Sequence, residues 1–147
     1  MSDNLPIILG FDPGKDKCGV AIVDRNRQLL YHQVVLTVET IEEITNLCQQ
    51  YHVTQIVMGD RTTSKQWKQK LTTAFPTLPI ALIDENYSTL EARDRYWQMY
   101  PPNFFTGLIP QGMRQPPRAI DDIVAIILIE RYFASHIHKG INPLANS

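Results

Sequence analysis

The stretch ILGFDPGKDKCGVAIVD, residues 8–24, decides how the chain is read. Its two runs, 6–12 and 18–24, are rich in Ile and Val and meet at Pro13-Gly14, so they predict two strands joined by a turn. Asp12 stands where the first strand ends. Three readings are open for it. Aspartate before Pro-Gly is an ordinary turn residue, a loop of this kind can cradle phosphate, and a carboxylate at a strand end can hold a metal. The choice depends on whether other carboxylates converge on the same point.

Working outward, residues 28–36 (QLLYHQVVL) follow the turn at 24–27 and predict a third strand, completing an antiparallel meander. Thr40 precedes a stretch in which Ile41, Ile44, Leu47, Cys48 and Tyr51 recur at helical spacing. Glu42 and Glu43 fall in its first turn, where the helix dipole favours acids. Residues 54–59 predict a short buried strand. A helix over 64–75 follows, with Ser64 as its cap and Trp67, Leu71 and Phe75 on one side. Residues 79–84 (PIALID) predict a fifth strand, and Ser88 with Glu91 a capping box that opens the helix STLEARDRYWQMY. Residues 101–118 carry five prolines and two glycines and read as loop, a length that usually signals function or mobility. The last element, about 120–136, is apolar through IVAIILI and predicts a buried helix.

A strand-helix-strand crossover implies parallel pairing. The expected architecture is therefore α/β: a mixed five-stranded sheet, with a three-strand antiparallel meander plus parallel strands, and helices on both faces. That is the ribonuclease H-like arrangement, and a fold does not by itself fix a function.

At 147 residues and 44% hydrophobic, the chain has the size of one domain spanning 1–147. A net charge of −1 excludes a strongly basic nucleic-acid coat, so a polyanion would have to meet a local patch. Cys18 and Cys48 fit no zinc-ligand spacing and read as two buried reduced thiols. The polar start MSDNLP does not resemble a signal peptide. No apolar run approaches the roughly 20 residues of a membrane helix. A soluble, cytoplasmic protein with no membrane partner is the expectation.

Three acids stand where chemistry is possible. Asp12 ends the first strand, Glu85 ends the fifth, and Asp121, with Asp122 beside it, opens the last helix. The carboxyl ends of parallel strands form the usual ligand crevice of an open α/β sheet. Carboxylates gathered there repel one another unless a divalent cation neutralises them. Oxygen ligands without His or Cys select Mg²⁺ or Mn²⁺ over zinc. Two such ions roughly 4 Å apart can activate water and stabilise the leaving oxygen of a phosphodiester. The plainer readings are a turn residue at Asp12, a solvated strand end at Glu85 and a helix cap at Asp121 or Asp122, although two adjacent acids exceed what capping needs. Asp60, at the end of the fourth strand, is either a fourth oxygen ligand or a simple loop acid.

Basic residues surround these positions. Lys15 and Lys17 flank the Asp12 turn. Arg61, Lys65, Lys68 and Lys70 run without an intervening acid around Trp67. Such interleaving suits phosphate contact with base stacking, but Trp67 reads better as core. Arg114 and Arg118, with Phe104 and Phe105, form a second basic patch, and His136 and His138 read as surface or capping residues.

Taken together, LGFDPGKDKCGVAIVD, DENYSTLEAR and IDDIVAIILIERYF resemble the YqgF (RuvX) family over nearly the whole chain. These are small ribonuclease H-like proteins related to the RuvC junction resolvases. The resemblance implies a metal-binding catalytic triad of Asp12, Glu85 and Asp121, with Asp122 as support or cap. It implies a nuclease of pre-16S rRNA 5′ maturation or, by analogy, a Holliday junction resolvase, working as a monomer or homodimer. Several positions depart from the family pattern. Gly59-Asp60-Arg61 stands where Gly-Leu-Pro is usual, Asn86 where Arg is usual, and Val124 where the RuvC resolvases have a second acid. A chain that kept the fold as a non-catalytic RNA-binding assembly factor would suit those departures. An actin-like ATPase needs two such domains, which 147 residues do not supply.

Overall fold

Alternation along the first strand, β1 (Ile7–Asp12), sets the two faces of the sheet. Leu9 and Phe11 point to one side, into a cluster with Ile44, Leu47, Trp67 and Leu71. Ile8 points to the other, against Ala125, Ile126 and Ile129. Side chains alternate with a period of two, so Asp12 shares the face of Ile8 and Gly10. The computed structural model describes residues 6–140. The readings of residues 1–5 and of the His136 and His138 side chains lie outside what is described.

β1 pairs antiparallel with β2 (Lys17–Asp24), which sets Asp12 opposite Gly19. β2 pairs antiparallel with β3 (Leu29–Leu36), and β4 (Gln55–Gly59) runs parallel to β1. β5 (Ile80–Ile83) is parallel to β4, giving the order β3-β2-β1-β4-β5. The predicted mixed sheet is therefore present, in the ribonuclease H-like arrangement. Helices α1 (Thr40–Gln50) and α2 (Ser64–Ala74) pack on the Leu9 face. Phe11 meets Trp67 edge to face at 4.9 Å, a pairing worth about 0.5–1.5 kcal/mol beyond burial. The core reading of Trp67 holds. On the other face, α3 (Ser88–Met99) packs on α5 (Asp121–Gly140), which lies against the sheet. Residues 122–129 of α5 are all buried, as expected of a helix apolar on every side.

The local differences from expectation have identifiable causes. The Ser88–Glu91 capping box is absent: Tyr87, at φ 62°, precedes α3 without a side-chain cap. The Glu91 carboxylate instead pairs with Arg131 on α5 at 2.5 Å, a tertiary partner winning over a local one. Ser64 is not a cap but the buried first residue of α2. A 3₁₀ turn at Thr37–Glu39 leads into α1, which begins at Thr40 itself. Residues 101–118 are not structureless. They hold the short helix α4 (Phe104–Gly107), capped by Asn103 Oδ1 accepting from Thr106 N at 2.8 Å, and a 3₁₀ turn at Gln111–Met113. Cys18 is buried and Cys48 half-buried, and both are free thiols.

Two glycines decide how closely α5 approaches the sheet. A Cβ on Gly10 would lie 2.5 Å from the Ala125 carbonyl oxygen, and one on Gly19 would lie 1.8 Å from that of Asp121. Neither obstacle is a flexible side-chain end, so α5 itself would have to move. We predict that Gly19→Ala lowers unfolding free energy by about 1–3 kcal/mol, the usual range for overpacking. Gly112→Ala, where an added Cβ meets nothing within 4 Å, is the control in thermal melts. Equal melting temperatures for the two variants would contradict this packing.

Candidate active site

Asp12 and Asp121 meet because β1 ends on the α5 face and α5 begins there. The two carboxyl groups lie close enough to act on each other's ionisation. Burial, then the neighbouring Asp121 and Glu85 charges, push Asp12 up to about 8, against a smaller opposing effect of Arg61. Asp121 is also raised, chiefly by burial. A proton shared between them is the expected state of two carboxylates crowded together at neutral pH.

Glu85 enters from β5. The strand stops at Ile83, so Glu85 lies two residues beyond its end and not at it. Asp84 Oδ1 accepts from Asn86 N at 2.9 Å and turns the chain there. The Glu85 side chain is only 5% exposed, and Arg61 Nε holds its Oε1 at 2.6 Å. Gly59 makes room for it, since a Cβ at that position would lie 1.8 Å from Glu85 Oε2. Burial raises the Glu85 pKa, and the Arg61 guanidinium pulls against that rise. Asp12, Glu85, Asp121 and Arg61 line one cavity of about 320 Å³, together with Ser88 and Val124. Val124, one turn after Asp121 on α5, thus lines the same cavity with an apolar side chain.

The other expected site residues divide plainly. Asp60 is exposed, and its Oδ1 accepts from Glu85 N at 3.4 Å, so it adjoins the cavity from outside the lining. Asp122 is not brought to Asp12. It is 2% exposed and lies between His32 and Arg118. Lys15 and Lys17 are exposed at the turn, and the Lys17 charge reaches Asp121. Lys65 and Lys68 are exposed on α2, while Lys70 sits 4.7 Å over the Trp67 ring. Arg114 spends its donors on the Ile109 and Gly107 carbonyls, which folds the 104–114 segment, and lies 5.8 Å over Trp97. Arg118 is committed to Asp122 and the Ala119 carbonyl. Phe104 and Phe105 are 74% and 77% exposed and meet edge to face at 5.5 Å.

The residue that sequence reasoning missed is His32, whose Nδ1 lies 2.7 Å from Asp122 Oδ2. Only strand alternation in 28–36 hinted that it faces α5, and nothing in the sequence joined positions 90 residues apart.

The donor set has the chemistry of a hard divalent cation site: oxygen ligands only, carrying charge that burial leaves poorly compensated. Among the described residues, no three His, Cys, Asp or Glu side chains stand close enough to enclose an ion. Asp12 lies against Asp121, and Arg61 holds Glu85. Both are contacts a cation would replace, so the residues fit one after exchange.

The sequence profile of the RuvX family, described as Holliday junction resolvase, matches residues 6–135. A Coxiella burnetii (strain Dugway 5J108-111) protein named "Putative pre-16S rRNA nuclease" is 25% identical over 141 residues, covering 86% of this chain and 91% of its own. A relative from strain CbuG_Q212 carries the same name at the same identity and coverage. The Fowlpox virus resolvase, solved with Holliday junction DNA, superposes with a TM-score of 0.60 at 10% identity, covering 89% of this chain and 99% of that one. Thermus thermophilus RuvC gives 0.54 at 15% identity, over 89% and 96%. At these identities the two structures establish the fold.

The raised Asp12 pKa has a thermodynamic consequence. A carboxyl whose folded pKa (about 8) exceeds its ordinary 3.8 favours the fold at acid pH and loses that contribution as pH rises through 8. In chelator, Asp12→Asn should therefore gain stability over the wild type progressively between pH 5 and 8, by up to about 1.4 kcal/mol per pH unit. Thermal melts across that range measure the difference, and a difference independent of pH would contradict the assignment.

Proposed function

The chain belongs to the RuvX family, and on that premise we propose that it is a Mg²⁺- or Mn²⁺-dependent nuclease hydrolysing phosphodiester bonds in 5′ maturation of pre-16S rRNA. That it is a nuclease of ribonuclease H-like fold follows from family and relatives. The observation that carries the finer reading is the meeting of Asp12, Asp121 and Glu85 around one cavity, buried and underneutralised.

In this reading Asp12, Asp121 and Glu85 would hold the metal, and Asp60 supports Glu85 by accepting from its backbone N–H. When bound, divalent cations supply an activated water and stabilise the leaving oxygen. The chain's own residues do the rest. With a cation bound, Asp12 and Asp121 would be held as carboxylates, and Glu85 would be released from Arg61. Arg61, 65% exposed, is then free to turn its guanidinium to the scissile phosphate, for which its planar fork suits it. Ser88 and Thr89 bring hydroxyl groups to the same wall.

Branched DNA is the alternative substrate, favoured by the family's description. An assembly factor that binds RNA without cutting is favoured by one feature, the Arg61 contact that closes off Glu85. Incubating the protein with labelled pre-16S rRNA fragments and with four-way junctions, in Mn²⁺ and in chelator, separates these readings. We expect Mn²⁺-dependent cleavage of the rRNA precursor. Asp12→Asn and Asp121→Asn should each reduce it by at least about 100-fold, the upper end of what even outer-shell losses cost a metal site. Cleavage indifferent to Asp12→Asn would sink the mechanism, and binding without cleavage in every metal would favour the assembly factor. Arg61→Met should tighten Mn²⁺ binding several-fold by removing the competing cation while weakening RNA binding. Weaker binding of both would show that Arg61 only props Glu85.

A further inference from the structure

A second cavity, of about 470 Å³, opens on the other side of the start of α5. Lys17 from β2, His32 and Gln33 from the edge strand β3, and Tyr100, Arg118 and Asp122 from the α3–α5 side reach it. We propose that this cavity is a second phosphate subsite, seating the backbone phosphate of a nucleotide neighbouring the one at Asp12, Glu85 and Asp121. It rests on the nucleic-acid reading above and assigns part of the substrate to residues outside that site.

The cavity has a rigid back wall. Both Asp122 oxygens are taken, Oδ2 by His32 Nδ1 at 2.7 Å and by Arg118 Nη2 at 3.3 Å, and Oδ1 by Arg118 Nη1 at 3.0 Å. Arg118 Nη1 also donates to the Ala119 carbonyl at 2.6 Å, and the guanidinium lies 5.5 and 5.7 Å over the Tyr96 and Tyr100 rings. The buried carboxylate and this spent arginine cancel as charges and fix the imidazole. What remains for a ligand is the ammonium of Lys17, which forms no ion pair among the described residues, and His32 Nε2. An ammonium held beside the ring edge of His32 suits a phosphate oxygen, to which the Lys17 ammonium donates.

Position selects the ligand. Asp121 and Asp122 are neighbours in the first turn of α5, yet one lines the acidic cavity and the other this one. The missing Cβ of Gly19 lets β2 lie against the Asp121 carbonyl, so Lys17 comes within charge range of Asp121. The two cavities are thus lined by adjoining residues at the start of α5, Ala119 and Asp122 in one, Ile120 and Asp121 in the other. A strand passing from one to the other meets three carboxyl groups on one side, which repel its phosphates until cations bind, and the unpaired Lys17 ammonium on the other. Holding the adjacent phosphate there offsets that repulsion. A purely structural tie between β3 and α5 would need His32, Arg118 and Asp122, but neither the cavity nor Lys17.

The test uses full-length protein carrying Asp12→Asn, in chelator, so that binding is read without cleavage. Affinity for a labelled single-stranded RNA is measured by fluorescence anisotropy across salt concentrations, with Lys17→Met and His32→Gln added singly. Each should weaken binding by about 3- to 10-fold, and Lys17→Met should reduce the salt slope by about 1, the signature of one lost phosphate contact. Unchanged affinity and slope in Lys17→Met would overturn the proposal, and that exposed position carries little risk to folding. A lowered melting temperature in His32→Gln with unchanged affinity would overturn the role of His32 and leave it a structural tie. Failure of the wild type to cleave any substrate would sink the nuclease reading alone, because these measurements require binding only.

Discussion

One face of the sheet is stripped of side chains where chemistry is to happen, and the remaining arrangement depends on that close approach. Gly10 and Gly19 let α5 lie with its carbonyls almost on the strands, and Gly59 leaves the space that the Glu85 carboxylate fills. Asp12 sits among them by the same two-residue alternation that buries Ile8. The site is therefore a product of backbone contact, since the helix that brings Asp121 cannot be lifted without parting it from Asp12. The all-round apolar surface of α5, clamped between the sheet and α3, holds it in place.

That packing creates an electrostatic problem. Three carboxyl groups share a cavity with one guanidinium, and burial raises the pKa of each acid. The protein contains the problem by keeping Asp12, whose pKa is pushed up to about 8, beside Asp121 and by setting Arg61 against Glu85. Under the proposed reading a cation would take the place of both. Asp122 shows the contrast. One residue along the same helix, a carboxylate of the same kind is saturated by His32 and Arg118, and it holds a wall where its neighbour waits for a ligand.

Much of this was legible in the sequence. The Ile- and Val-rich runs about Pro13-Gly14 fixed the hairpin, the crossovers fixed parallel pairing, and both put Asp12, Glu85 and the start of the last helix at one end of the sheet. Local signals failed where a distant partner outbid them. Ser88 and Glu91 have the spacing of a capping box, but Arg131 takes the glutamate. Arg114 and Arg118 read as free cations because composition does not reveal which donors are already spent on carbonyls and Asp122. His32 escaped notice because its meaning depends on the register of β3 against β2 and on where α5 begins. That information lies in pairing and not in spacing.

The central claim is that Asp12 and Glu85, 73 positions apart in sequence, act as ligands of one cation site. Mn²⁺ titration of the wild type, Asp12→Asn and Glu85→Gln, followed by loss of the free-ion electron paramagnetic resonance signal, tests it directly. The account predicts saturable binding that each single substitution weakens by at least about 10-fold, as loss of a charged ligand requires. Binding of equal strength in all three proteins would contradict it.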